Sequence, residues 1–127
     1  MGYNQGIATY QDVQFQTADP AKIILMMYDR LSQELEKAKE YIKIGNIEGK
    51  GQAIIKSQDI VMELANCLNL NTGKIAENLQ ALYLYMFREL NEINLKLDLN
   101  KLDVLIKIAD DLRSAWVEIT NGAKVNK

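Results

Sequence analysis

The stretch from Lys74 to Leu95, KIAENLQALYLYMFRELNEINL, carries more apolar side chains than a helix needs to bury one face. Read at helical spacing, one stripe runs Ile75, Leu79, Leu82, Met86, Leu90, Ile93, and that stripe completes a core-facing surface by itself. Tyr83, Leu84, Tyr85 and Phe87 remain and point elsewhere around the helix. Soluble domains that leave this much aromatic and aliphatic surface usually cover it with a partner. The pattern therefore points to a binding protein.

Three more segments show the same period. Asp19 can cap a first helix, and Pro20 suits its first position, where a missing N–H costs nothing. Its stripe is Ile24, Tyr28, Leu31, Leu35, Ala38 and Ile42, and Gly45-Asn46 ends it. The second helix is predicted over 48–69 with Ile54, Val61, Leu64 or Ala65, and Leu68 inward, although Gly49 and Gly51 move its expected start towards 51. Thr72 is the expected cap of the third helix. Asn100, with Asp103 three residues on, resembles a capping box for a fourth, whose stripe is Leu102, Leu105, Ala109, Leu112, Trp116 and Ile119. Gly122 is its expected stop. Helices of about twenty residues are about 30 Å long. Joined by short turns, they predict an all-α fold, an antiparallel up-down four-helix bundle over 19–121. A polar, aromatic-flecked arm over 1–18 precedes it, with Tyr3, Ile7, Tyr10, Val13 and Phe15, and a frayed tail over 122–127 follows.

Composition narrows the function classes. The chain has 127 residues, 48% hydrophobic and 25% charged, which predicts one globular domain and not a disordered chain. There is no histidine, so Ser-His and Cys-His catalysis and the Glu-x-x-His pairs of di-iron bundles are impossible. No metal or cofactor is expected, and an enzyme is improbable. The single cysteine, Cys67, allows no internal disulfide and is read as a small core residue in a reducing compartment. A formal net charge of −2 without a basic block argues against nucleic acid. The longest apolar run, Ile23 to Tyr28, is too short to span a membrane. The first residues, MGYNQGIATY, lack a secretory leader, and Gly6 stands where a myristoylation signal needs Ser or Thr.

All four helices carry surplus apolar residues: Met26 and Met27 on the first, Ile55, Ile60 and Met62 on the second, Val104, Ile108 and Val117 on the fourth. Two occupants suit such surface: a second copy of the chain, or an amphipathic or disordered segment laid between helices. Composition does not choose between them.

The motifs do. Thr17-Ala18-Asp19-Pro20-Ala21-Lys22-Ile23-Ile24-Leu25-Met26-Met27-Tyr28-Asp29 resembles the start of the first helix in the FliS family, the flagellin-specific export chaperones of bacteria. Tyr10-Gln11 resembles its N-terminal Tyr-Gln pair, and Gly73-x-Ile75-Ala76-x-Asn78-Leu79 its entry to the third helix. Leu82-Tyr83-x-Tyr85-Met86-x-Arg88-x-Leu90-x-x-x-Asn94 and Leu112-Arg113-x-Ala115-Trp116 resemble two further family motifs in the same order. Together they cover residues 8 to 120. Ile7, Arg30 and Ile93 depart from the usual family residues.

The resemblance implies a cytoplasmic helical bundle. It implies binding of the disordered C-terminal segment of flagellin, which prevents premature polymerisation and presents flagellin to the flagellar type III export apparatus. Export-gate components, a co-chaperone and a homodimer are further partners to consider, and the arm can lie over part of the client surface. A place off the core stripe combined with a place in a family-like motif selects Ile55, Met62, Tyr83, Phe87, Ile108 and Val117 as groove contacts, with Tyr10 on the arm. Tyr28, Leu79, Met86, Leu112 and Trp116 are assigned to the core, and Asn94 to a polar tie with a neighbouring helix. The alternative is a homo-oligomeric bundle without a client.

Overall fold

Pro20 opens the first helix, α1 (Pro20–Ile44), as its locked φ allows. The computed structural model describes residues 20–125, with side chains described through Ile119. The arm, Asp19 and Tyr10 lie outside the described residues. α1 buries Tyr28, Leu31, Leu35 and Ala38 as its period predicts, together with Ile23 and Met27, and it leaves Ile24 half-buried. It stops where Gly45 takes a φ of +77°, letting the Asn46 N–H reach back to the Tyr41 carbonyl at 2.9 Å.

Asn46 then serves α2 (Ile47–Asn66), its side-chain oxygen accepting from the Gly49 N–H at 2.9 Å. This cap starts the helix earlier than the two glycines suggested, because satisfying an orphan N–H outweighs their poor propensity. Gly49 is there for space: a Cβ would sit 2.6 Å from the Tyr41 ring, whereas a Cβ on Gly51 would meet nothing within 4 Å. Gly51→Ala is therefore expected to stabilise the protein by about 0.5–1 kcal/mol. Gly49→Ala should destabilise it by about 1–3 kcal/mol in spite of the same propensity gain. Urea unfolding of the two variants checks this, and shifts of the same sign would refute the packing role.

Ile54, Val61 and Leu64 of α2 are buried, as is Ile60, which had been placed off the core line. The chain then makes a 3₁₀ turn over Leu70–Thr72 before α3 (Lys74–Lys96). Thr72 does not cap α3. Its hydroxyl donates to the Asn69 carbonyl at 2.6 Å inside the turn, and Gly73, at φ +116°, takes the cap position without a side-chain bond. At the other end Leu97 occupies the left-handed region at φ +57°, its N–H bonded to the Ile93 carbonyl at 2.8 Å. Asp98, rather than Asn100, caps α4 (Leu99–Val125), accepting from the Lys101 N–H at 3.1 Å. α4 continues through Gly122, since one glycine weakens a helix but ends it only by turning left-handed.

Sequential helices are antiparallel, and α1 lies between α2 and α4. Three polar contacts fix the α1–α4 register: Arg113 Nε donates to Asp29, Ser32 Oγ to Asp110 Oδ1 at 3.0 Å, and Lys39 Nζ pairs with Asp103 at 2.9 Å. The α2–α3 seam is joined by buried donors. Lys50 Nζ donates to the Asn94 carbonyl at 2.9 Å, and Gln58 Nε2 donates to Asn91 Oδ1 at 2.8 Å. The expected tie at Asn94 thus runs through its backbone, near the negative end of α3. α3 and α4 pack against each other least. Lys101 Nζ reaches Glu89 Oε2 at 3.1 Å close to their shared turn. Towards the opposite end of the bundle the two helices leave room between them.

That room explains a rotation of α3. Its buried face is Ala76, Tyr83, Met86, Leu90 and Ile93, so Tyr83, expected to point outward, is only 2% exposed. Ile75, expected inward, is 78% exposed. Tyr83 is drawn in because its hydroxyl finds the Tyr28 hydroxyl across the bundle, 2.5 Å away.

Candidate functional site

Where α1 and α3 begin and α2 and α4 finish, the four helix ends do not meet over the core. A cavity of about 460 Å³ opens there, lined chiefly by apolar side chains. Leu79 and Ile75 of α3 contribute to its wall, as do Leu112, Trp116 and Ile119 of α4 and Leu64 and Leu68 of α2. A second hollow of about 450 Å³ shares Ile24, Cys67 and Trp116 with it and extends to Pro20. The lining follows from helix phase. α3 and α4 continue their apolar stripes past the level at which they touch, so among the described residues no helix lies opposite the stripe ends.

The polar groups here are few. Tyr83 lines the cavity and is bonded to Tyr28. Burial pushes both phenols up, Tyr83 far above the usual range, so they stay neutral. Cys67 is exposed at the rim rather than in the core, because α2 ends there and the chain turns away. Partial shielding and the Glu63 carboxylate hold its thiol above the ordinary range, the opposite of an activated nucleophile. Among the described residues no group of three or more His, Cys, Asp or Glu side chains is gathered to hold a metal ion. No described helix is long and apolar enough to cross a membrane. The arrangement suits non-covalent capture of apolar side chains.

Of the residues singled out from sequence, Tyr83 alone among the described ones lines this cavity, and it does so from the core. Ile55 is exposed on α2, and Met62, Phe87, Ile108 and Val117 are half-buried elsewhere. Leu79, Leu112 and Trp116, assigned to the core, are half-buried at the cavity wall. Ile119, assigned to the core stripe, is exposed at its edge. The signal that could have found them was position. They sit on core stripes, but at the end of the bundle where α1 starts.

The family described as flagellar protein FliS matches residues 3–123. The chain belongs to the FliS family. A Vibrio cholerae relative named flagellar secretion chaperone FliS is 36% identical over 109 residues, covering 85% of this chain and 80% of that protein. A Bacillus subtilis relative of the same name is 31% identical over 116 residues, covering 91% and 86%. The fold matches a crystal structure of a bacterial flagellar chaperone at a TM-score of 0.75, with 20% identity, over 96% of this chain and 99% of that one. The all-α bundle read from the periodicity is thus the FliS-family fold.

Proposed function

We propose that this FliS-family chain is a cytoplasmic flagellar export chaperone. It captures the C-terminal segment of flagellin, keeps it from polymerising, and presents it to the export apparatus. The observation that carries the reading is the apolar cavity at the open end of the bundle, bounded by side chains from all four helices. Flagellin subunits polymerise through their terminal helices, so masking one of those segments blocks assembly without any nucleotide. A disordered client loses conformational entropy on ordering, and a preformed apolar cavity offsets that loss by burying its side chains. The 1–18 arm joins the bundle at Pro20, beside the second hollow. In this reading its apolar residues shield the hollow between clients, which lowers apparent affinity by the fraction of time the site is covered.

The test is calorimetric titration of the full chain with a peptide spanning the last forty or so residues of the host flagellin, followed by circular dichroism of the mixture. One-to-one binding with a large negative heat-capacity change and gained helicity is expected, and a variant lacking residues 1–15 should bind more tightly. A folded protein that gives neither heat nor helicity would overturn the flagellin client. Unchanged affinity in the shortened variant would overturn the shielding role alone.

A further inference from the structure

The chain between α2 and α3 passes the mouth of the cavity, with Asn69 and Thr72 on its lining. Its hydrogen bonds are short-range. The Thr72 N–H and hydroxyl both donate to the Asn69 carbonyl, at 3.0 and 2.6 Å, and the Asn71 N–H donates to the Asn69 side chain at 3.1 Å. Among the described residues the backbone of this 3₁₀ turn packs against no element except α3, which follows it directly. The closed end of the bundle is tied across helices instead, by Lys50 to the Asn94 carbonyl and by Lys101 to Glu89. The turn is therefore a self-bonded unit held mainly at its two ends. At the α3 end stands Gly73, at φ +116° and ψ −156°, a backbone conformation essentially reserved for glycine. A Cβ built there would meet nothing within 4 Å, so the backbone requires the glycine and the space does not. Leu70 tops the turn, 44% exposed, and is not part of the cavity lining. An apolar side chain held in water beside an apolar cavity gains by moving onto whatever fills it.

We propose that residues 69–73 form a strap that closes over an occupant of the cavity, pivoting at Gly73 and laying Leu70 on the apolar ligand. That the ligand is a peptide rests on the function proposed above; the pivot does not. Small hinge residues absorb the dihedral change of such closures, and the turn's internal bonds let it move as one piece. The consequence is kinetic. Closure follows entry and must reverse before exit, so the strap slows release more than capture.

The double variant Cys67→Ala/Leu70→Cys moves the chain's one thiol to the tip of the strap. Its reaction with a maleimide is timed in the free protein, with saturating flagellin C-terminal peptide, and with an anilinonaphthalene sulfonate, a small apolar probe whose fluorescence reports its own binding. Closure predicts roughly tenfold slower reaction with either ligand, and clearly weaker protection once Gly73→Ala is added. Equal reaction rates with and without bound ligand would overturn the strap, and undiminished protection in the Gly73→Ala background would overturn the pivot. A second measurement uses Leu70→Ser, which removes an exposed side chain and leaves the core intact. The single tryptophan, Trp116, lies on the cavity wall, so stopped-flow fluorescence follows binding directly. Release of the peptide should quicken roughly fivefold while association changes by less than about twofold. Unchanged release would overturn the contact of Leu70 with the ligand. Protection by the sulfonate without any binding of peptide would uphold the strap and overturn the flagellin client, and binding of neither ligand would overturn both.

Discussion

Replacing Ile75 and Ile119 together by glutamate is expected to weaken capture of the flagellin segment on the order of a hundredfold or more. Both side chains line the cavity, and both are exposed in the free protein, 78% and 61%. Neither contributes much to folding, so the variant should keep its helicity and melt within a few degrees of the parent. In the complex each isoleucine covered by client stabilises by about 2 kcal/mol. A carboxylate in its place must also shed water without a partner, which costs further. Two such sites add to roughly 4 kcal/mol, or nearly a thousandfold, before any local adjustment. Ile55→Glu is the comparison. Ile55 is 55% exposed on α2 but outside the cavity, so its replacement should change affinity by less than about twofold. Calorimetry on the three proteins decides the matter. Parent-like binding by the double variant would remove the cavity from client capture, and a large loss in Ile55→Glu would move the contact surface to the outer face of α2.

Alkali is expected to unfold the protein steeply from about pH 10 upward. The chain has six tyrosines, and two of them, Tyr28 and Tyr83, are buried with phenols pushed above their ordinary value, chiefly by loss of water. A raised pKa in the folded state means that the unfolded chain gives up these protons first. The stabilisation is complete below the unfolded value near 10 and is lost as pH climbs towards the folded one. Over the window in which its folded value exceeds its unfolded one, each such group shifts the unfolding equilibrium by up to about tenfold per pH unit. Lys39 and Lys101 are also raised, by their bonds to Asp103 and Glu89, and lose those pairs in the same direction. Both pairs are solvent-exposed and add little. Urea midpoints between pH 8 and 11.5, followed with phenolate absorbance, test the expectation. Phenolate absorbance from the buried pair should appear together with unfolding, and the Tyr28→Phe/Tyr83→Phe double variant should show a much flatter decline. Six tyrosines ionising together near pH 10 in a protein that stays folded would refute the burial argument.

The elements of the fold were legible because each helix is long and repeats its apolar residues at the right period. Tyr28, Leu31, Leu35 and Ala38 on α1 and Leu102, Leu105 and Ala109 on α4 are buried as their spacing demanded. The helix ends were less legible, because caps compete. Asn46 captured a start that two glycines argued against, Thr72 spent its hydroxyl in a 3₁₀ turn, and Asp98 took the cap expected of Asn100. The site was legible only in kind. Surplus apolar surface announced a binding protein, but the residues chosen for lying off the core stripe were mostly not those at the cavity. A stripe position is core only while another helix lies opposite it, and Leu79, Leu112 and Trp116 lie on stripes whose ends line a cavity among the described residues.

The amino-acid sequence by itself determined four amphipathic helices, their antiparallel order, the absence of histidine chemistry, and motifs of the FliS family. These depend on local period, turn length and residue identity, which are written along the chain. The tertiary structure alone decided the rotation of α3 that buries Tyr83 and exposes Ile75, the weak α3–α4 seam, and the cavity at the open end with its tyrosine pair. Rotation about a helix axis is set by which partners meet across the bundle. Here the Tyr28 hydroxyl, fifty-five residues away in sequence, supplied the partner that a reading along one helix could not see.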